Sequence, residues 1–382
     1  MDNRATVLIA DTSEEFCTSL SKALQNAEGF QVIATALDGQ QAITLINQRK
    51  PNILVVSSFM MDLIASTRRA PNSGETVIGL KFTTAPGGKG ANSAIAFARF
   101  GADCVFTCKV GRGANAKRLV QLYKSENIDT RYILEDPEVP TGLASILVEE
   151  NGKNRIIVYP GANMTMTAAE IEEPFTCYPE AVYMQLEIPD EAILEAARRA
   201  HEANIPVFID AGPARLDFPL GELGRVEIFS PNESETRIFT GIAPNNEENC
   251  LRAAIRLSTL VDAKYIVIKL GERGAFIYDV NGKEYYVVPA EKVEAVDTTA
   301  AGDVFTAAMV YVYLQNGNIL SAVKYATCAA AISVTRAGAS SSIPTRAEVI
   351  AYARKKKAEE AGEAVPEDKP EETSGDEEMN EI

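Results

Sequence analysis

Short, unbroken apolar runs alternate with helix-patterned segments along most of this chain, and that rhythm constrains the fold more than any other feature. Thr6-Val7-Leu8-Ile9-Ala10, Phe30-Gln31-Val32-Ile33-Ala34, Ile53–Val56, Cys104–Val110, Val182–Leu186, Val207–Asp210, Val226–Ser230 and Tyr265–Leu270 each read as a buried strand. Such strands need helices on both faces and crossover connections, hence a mostly parallel sheet in an α/β fold. Helices are expected from Ser13 (apolar Phe16, Leu20 and Leu24 on one face), over Gln40–Arg49 up to Pro51, and over the small-residue stretches Ala91–Phe100, Gly302–Gln315 and Leu320–Thr335. The opening β-α-β-α-β pattern predicts a parallel sheet that includes Ile53–Val56. Residues 59–86 break the rhythm with turn residues and short strand-like pieces. Thr141–Pro160, around Asn151-Gly152-Lys153, and Phe276–Val280 with Tyr285–Val288 read as hairpins.

At 382 residues the chain is one large domain with additions, or two. The net charge of −16 argues against a nucleic-acid or anionic-membrane partner. Much of that charge lies at the end: Glu359 to Glu381 hold eleven acids against Lys369 alone. Residues 354–382 are therefore expected to form a disordered acidic tail. His201 is the single histidine, which argues against a histidine base or a histidine-rich metal site. The six cysteines are scattered without a CxxC and read as reduced thiols. No apolar run reaches the ~18 residues of a membrane span, and Met1-Asp2-Asn3-Arg4 does not open a signal peptide. The expected location is the cytoplasm.

The strongest chemical signal is Val296-Asp297-Thr298-Thr299-Ala300-Ala301-Gly302-Asp303-Val304-Phe305, a strand end, a run of small residues and a helix start. Small residues let backbone N–H groups approach a ligand, and a helix N-terminus adds unpaired donors and partial positive charge. That arrangement suits an anion such as a transferring phosphoryl group, and Asp303 within it is placed to take a proton from an alcohol; an N-capping role is the alternative. Pro86-Gly87-Gly88-Lys89-Gly90-Ala91-Asn92 also opens a helix, but Gly90 after Lys89 rules out a Walker A loop. Pro231-Asn232-Glu233-Ser234-Glu235 follows a strand, where Asn232 and Glu235 are hard oxygen ligands suited to Mg²⁺ or, alternatively, helix caps. Ile268-Lys269-Leu270-Gly271-Glu272-Arg273-Gly274 runs a strand into a glycine turn. Gly111-Arg112-Gly113-Ala114-Asn115-Ala116 is close to a dinucleotide-binding turn, but its last position is Ala and no carboxylate follows at the expected distance.

In this order the four motifs resemble the ribokinase branch of the PfkB carbohydrate kinase family, from about Ile53 to about Ala353. Arg336-Ala337-Gly338-Ala339 and Gly161-Ala162-Asn163 are similar to further segments of that branch. The resemblance implies a Rossmann-type sheet with a small β-sheet lid, commonly a dimer surface. It implies transfer of the ATP γ-phosphoryl to a furanose primary hydroxyl, most specifically the 5-hydroxyl of ribose. It implies Asp303 as base and Ala300, Ala301 and Gly302 as anion hole. Met60, Asp62, Gly88, Lys89, Gly90, Ala91, Asn92 and Glu187 fall at sugar-binding positions. Asp210, Asn232, Lys269, Leu270, Gly271, Glu272, Arg273, Gly274, Gly302 and Thr327 fall at nucleotide positions. Asn232 and Glu235 match the motif tied to Mg²⁺, and Asp297, Thr299, Ser333, Arg336, Gly338 and Ser342 match positions that bind an activating K⁺. A small-molecule sugar and ATP are the implied partners, with a homodimer through the lid.

Three departures stand out. Met60 replaces a usual asparagine of the sugar site. Asp210 replaces a usual asparagine, and a carboxylate near a triphosphate is unfavourable unless bonded. The usual Gly-x-Asp-x-x-Gly is Gly111–Ala116. These departures keep a fructokinase-like or adenosine kinase-like substrate, or a weakly catalytic sugar- or nucleotide-binding regulator, as alternatives. Residues 1–52 separately resemble the first half of a response-regulator receiver, through Ile9-Ala10-Asp11 and Asp38-Gly39-Gln40-Gln41-Ala42. The phospho-acceptor position falls at Ser57, and Ile53–Val56 must also start the kinase sheet, so the segment is expected not to be phosphorylatable.

Overall fold

The computed structural model describes residues 5–361 apart from 26, 28, 29, 40, 42–51 and 152. The helix expected over Gln40–Arg49 and the end of the acidic tail lie outside these residues. The chain begins with β1 (Ala5–Ala10), α1 (Glu14–Gln25) and β2 (Phe30–Ala36); the two strands pair in parallel as a separate two-stranded sheet.

The next strand, β3 (Asn52–Val56), does not join them, which corrects the expected opening sheet. It pairs instead with β6 (Asp103–Thr107) on one side and β11 (Ala181–Gln185) on the other. The reason is burial on both faces. Successive strand residues point opposite ways; Ile53 and Val55 enter one apolar cluster, Leu54 and Val56 a second, all fully buried. Beyond β11 the sheet continues through β12 (Val207–Asp210), β13 (Val226–Ser230) and β14 (Ala263–Lys269) in parallel, then β15 (Ala275–Asp279) and β16 (Glu284–Val288) antiparallel.

Helices cover both faces. The first cluster takes in side chains of α2 (Lys89–Phe100), α3 (Ala114–Ser125), α7 (Ala301–Asn316), α8 (Ile319–Val334) and α9 (Arg346–Ala361). The second takes in α4 (Asp190–Glu202) and α6 (Glu247–Ser258), while α5 (Glu233–Thr240) follows β13. The α9 helix corrects the expected tail: residues 354–361 are helical, Ala358 is buried, and Lys356 Nζ bonds Glu291 Oε1 at 2.5 Å. No helix among the described residues is long and apolar enough to cross a membrane.

Residues 59–86, whose texture changes in the sequence, supply half of a second sheet. Its order is β10 (Asn154–Tyr159), β9 (Leu143–Glu149), β4 (Met60–Thr67) and β5 (Lys81–Gly87). The body covers this sheet only in part: β10 is exposed along its whole length, with Ile157 at 75%, and Phe82 on β5 is exposed at 65%. A parallel pair, β7 (Lys109–Gly111) and β8 (Leu134–Asp136), forms a further small sheet. The root of the lid is pinned by buried Asn163. Its Nδ2 donates to Phe59 O (2.7 Å) and Pro160 O (2.8 Å), and its Oδ1 accepts from Phe59 N (3.0 Å).

Candidate active site

The crevice lies at the carboxyl ends of β3, β11, β12, β13 and β14. From β3 the chain crosses first to β6 and then back to β11, so the strand order reverses between β3 and β11. Loops diverge at such a point and leave a crevice. Ser58, just past β3, bridges it with a hydrogen bond to Glu187 Oε2, just past β11. Ser57, where the receiver resemblance would place an acceptor, is fully buried below and donates to Gln185 Oε1 at 2.6 Å.

Asp303 stands in the first turn of α7, 5% exposed. Ala300 precedes it with φ +65°, a left-handed conformation rare for a residue with a Cβ. The first helical bond runs from Val304 N to Ala300 O at 2.9 Å. The N–H groups of Gly302 and Asp303 come before it and remain available to a ligand. Burial first, and then the charge of Asp210, push the Asp303 pKa up to about 6 against the opposing pull of Lys89, Asn92 and Lys269.

The glycine-rich motif supplies the opposite wall. Gly88 caps α2 with φ +94°, and a Cβ there would sit 2.8 Å from Met60 N, so the tight approach of lid and helix requires glycine. Lys89 Nζ lies 3.6 Å from Asp303 Oδ1. Its pKa is raised, chiefly by Asp303 and further by Asp210, Glu187 and Glu235, against the cost of burial. Asn92 Nδ2 donates to Asp303 Oδ2 at 2.8 Å, while its buried Oδ1 has no hydrogen-bond partner among the described residues. A buried, bare acceptor beside a carboxylate calls for a donor such as a sugar hydroxyl. Gly90 packs against Ser57, and Ala91 is buried in the first cluster. From the lid, Asp62 lies against Gly87, and burial together with Glu187 pushes its pKa up to about 6. Met60 is buried at the same corner.

The other half of the crevice carries the strand ends of β12 to β14. Asp210 is 1% exposed; its Oδ1 accepts from Lys269 Nζ at 2.7 Å and its Oδ2 from Thr306 Oγ1 at 3.0 Å. The carboxylate that looked unfavourable in the sequence is therefore fully bonded. Leu270–Gly274 forms a tight turn closed by Leu270 N to Gly274 O at 2.8 Å and braced by Arg273, which donates to Glu233 and Pro244 O. Glu272 stands exposed on that turn. Asn232 and Glu235 cap α5 reciprocally: Asn232 Oδ1 accepts from Glu235 N (2.9 Å) and Glu235 Oε2 from Asn232 N (2.7 Å). Glu235 Oε1 instead faces Gly212 and the Lys89 stem. Thr327 donates within α8 to Lys324 O at 2.7 Å, and among the described residues no hydrogen bond joins it to the crevice.

Behind the helix start, Asp297 joins two loops. Its Oδ1 accepts from Thr299 N (2.9 Å) and Oγ1 (2.6 Å), and its Oδ2 from Gly338 N (2.9 Å). Burial opposes its charge, yet the Thr299 and Gly338 bonds hold its pKa below the ordinary value. Ser333 and Ser342 hydroxyls meet at 2.9 Å, and Arg336 pairs with Glu348 at 2.6 Å.

The profile of the pfkB family carbohydrate kinases matches residues 50–346. The chain belongs to that family. It is 33% identical over 301 residues to a ribokinase of Mus musculus, which spans 78% of this chain and 93% of the mouse protein. It is 34% identical over 300 residues to a deoxyribokinase of Salmonella typhi, spanning 77% and 96%. The structure of Arabidopsis thaliana ribokinase complexed with ribose and ATP superposes with a TM-score of 0.73 at 28% identity, covering 80% of this chain and 99% of that one. The expected α/β kinase fold and the expected class, a phosphotransferase with an alcohol acceptor, both hold.

Two residues of this kinase's crevice carry no motif in the sequence. Ser58 sits between a strand and the lid with no motif around it. Thr306 lies one helical turn after Gly302, a spacing that placed it beside Asp210 only once β12 was in position. Asn163 at the lid root belongs to the segment Gly161-Ala162-Asn163, but its clamp on Phe59 spans 104 residues and leaves no local signal of its role.

Proposed function

We propose that this kinase transfers the γ-phosphoryl group of ATP to the 5-hydroxyl of D-ribose, giving ribose 5-phosphate and ADP. The observation that carries this reading is buried Asp303, with a pKa near 6, at a helix mouth and beside the bare Asn92 Oδ1. Asp303 takes the hydroxyl proton as the sugar oxygen forms its bond to the γ-phosphorus. The bond from that phosphorus to the β,γ-bridging oxygen breaks, and ADP leaves with that oxygen. The turn Ala300-Ala301-Gly302 serves as the anion hole: the Gly302 and Asp303 N–H groups bind the equatorial oxygens, since Ala301 N already bonds Thr298 O, and Lys89 adds positive charge.

Asp62, Gly88, Gly90, Ala91, Asn92 and Glu187 hold the sugar, with Met60 closing one side. Lys269, Leu270, Gly271, Glu272, Arg273, Gly274, Asn232, Gly302 and Thr327 form the nucleotide side, on which Asp210 also lies. Mg²⁺ fits Glu235, whose Oε1 faces the crevice, better than Asn232, whose Oδ1 is taken by the α5 cap. When bound, the ion neutralises phosphate charge. A K⁺ fits the ionised Asp297 and the loops carrying Thr299, Ser333, Arg336, Gly338 and Ser342, through backbone carbonyls, because these side chains already bond one another or other protein groups. The exposed apolar face of the lid supports a homodimer formed through it.

A second reading is favoured by Met60. An apolar side chain in the sugar corner offers no partner to a hydroxyl, which suits 2-deoxyribose. A coupled ADP-release assay with Mg-ATP and K⁺ over ribose, deoxyribose, fructose, adenosine and other nucleosides separates the readings. Turnover selective for ribose supports the first and turnover selective for deoxyribose the second. Turnover on none, with ATP still bound, rejects both.

A further inference from the structure

We infer that Lys269 bonds the terminal phosphoryl oxygens of the nucleoside triphosphate during transfer, and that Asp210 and Thr306 position its ammonium without touching the nucleotide. The inference rests on the phosphotransfer reading above. Lys269 closes β14, 9% exposed, and its ammonium has three N–H donors. One goes to Asp210 Oδ1 at 2.7 Å and one to Thr306 Oγ1 at 3.1 Å. The third has no acceptor among the described residues. The ammonium lies 4.0 Å from where a Cβ on Gly302 would be, directly against the anion-binding helix start. Thr306 Oγ1 also lies 3.0 Å from Gly302 O, so its one hydroxyl proton is shared between that carbonyl and Asp210 Oδ2.

Charge makes the case stronger. Asp62, Glu187, Asp210, Glu235 and Asp303 put five carboxylates around the crevice, against the ammonium groups of Lys89 and Lys269. A triphosphate entering such a site needs every cation aimed at it. Asp210 has both oxygens occupied by Lys269 and Thr306, so it faces its own partners. Its carboxylate fixes where the ammonium sits, and the remaining N–H points to the ligand. A single buried lysine without a counter-charge would lose its charge or its place.

A double-mutant cycle on Asp210→Asn and Lys269→Met tests this. Lys269→Met is expected to lower kcat about 10²–10³-fold, the effect of losing one charged donor to the transition state, with ADP affinity changed by less than about threefold. Asp210→Asn is expected to lower kcat about tenfold or more, and the double variant to be no slower than Lys269→Met alone. A double variant slower than Lys269→Met by the full Asp210→Asn factor overturns the inference, because Asp210 would then act on its own. So does a Lys269→Met variant that changes only KM for ATP. Thr306→Val keeps both charges and serves if Lys269→Met does not fold. It is expected to lower kcat several-fold at unchanged ADP affinity, and an unchanged kcat overturns the inference. Wild-type turnover on the sugar panel is the control: its absence rejects the phosphotransfer reading instead.

Discussion

Two lysine–aspartate pairs share one crevice and are built to different standards. Lys89 stands 3.6 Å from Asp303 with 31% of its side chain exposed. Lys269 is in contact with Asp210 at 2.7 Å with 11% of its side chain exposed, and Thr306 closes the triangle. The difference follows from what each carboxylate must do. A base has to take up a proton near neutral pH, and a contact ion pair would hold its pKa too low. The looser pair lets burial win, which leaves Asp303 near 6. A carboxylate that only fixes a cation's place does best with both oxygens bonded, as in Asp210. One region is tuned for chemistry at some cost in stability, the other for rigidity.

The largest effect that would break this comparison is on stability. Asp210→Ala leaves the Lys269 ammonium buried without its partner. It is expected to cost about 3–5 kcal/mol in urea unfolding, whereas Asp303→Asn leaves stability unchanged or higher. Equal losses in the two variants would erase the distinction. The sign for Asp303 follows from its raised pKa. The native state binds this proton more tightly than the unfolded chain, so its contribution to stability falls as pH rises from about 4 to 6 and stays lower above.

Activity runs the other way. The base works only when ionised, so kcat/KM should fall about tenfold per pH unit below about 6 and level off above. Asp62 also titrates near 6, so the limb steepens if the sugar needs that carboxylate ionised, and Asp62→Asn returns it to unit slope. A flat profile between pH 5 and 7 contradicts the assignment. Lys89→Met removes the ammonium that pulls the Asp303 pKa down. The limb should move up by about one pH unit, which costs up to about tenfold below the plateau beyond any loss at saturation. An unmoved limb would mean that the pair is not coupled.

The smallest effect is expected furthest from the crevice. Ile157→Asp on the exposed lid face should shift the molecule from dimer to monomer in light scattering and change kcat by less than about threefold at saturating substrate. A monomeric wild type would remove the lid from the account and leave both lysine pairs in place.

Much of this was legible in the sequence because the active loops are local. Gly88 to Asn92 and Ala300 to Asp303 each lie within one turn of a helix start, where residue type and spacing carry the geometry. The positions that were hard to read depend on distant partners. Asp210 looked like an unfavourable carboxylate until Lys269, 59 residues on, supplied its counter-charge. Asn232 and Glu235 presented one spacing for two roles, and the capping bonds leave only one oxygen of Glu235 toward the crevice. The run Ile53–Val56 reads as a strand in any sheet; its partners β6 and β11 lie far along the chain. The basic residues from Arg354 suggested the end of order, yet buried Ala353 and Ala358 carry α9 to Ala361, because one apolar face is enough to hold a helix.

The most direct test of the account is the turnover of Asp303→Asn with Mg-ATP and the sugar that the wild type prefers, measured beside ATP binding by calorimetry. The account predicts a loss of about 10²–10⁴-fold in kcat with ATP affinity retained. Turnover within about tenfold of the wild type, a difference of only ~1.4 kcal/mol in the barrier, would show that Asp303 is not the base.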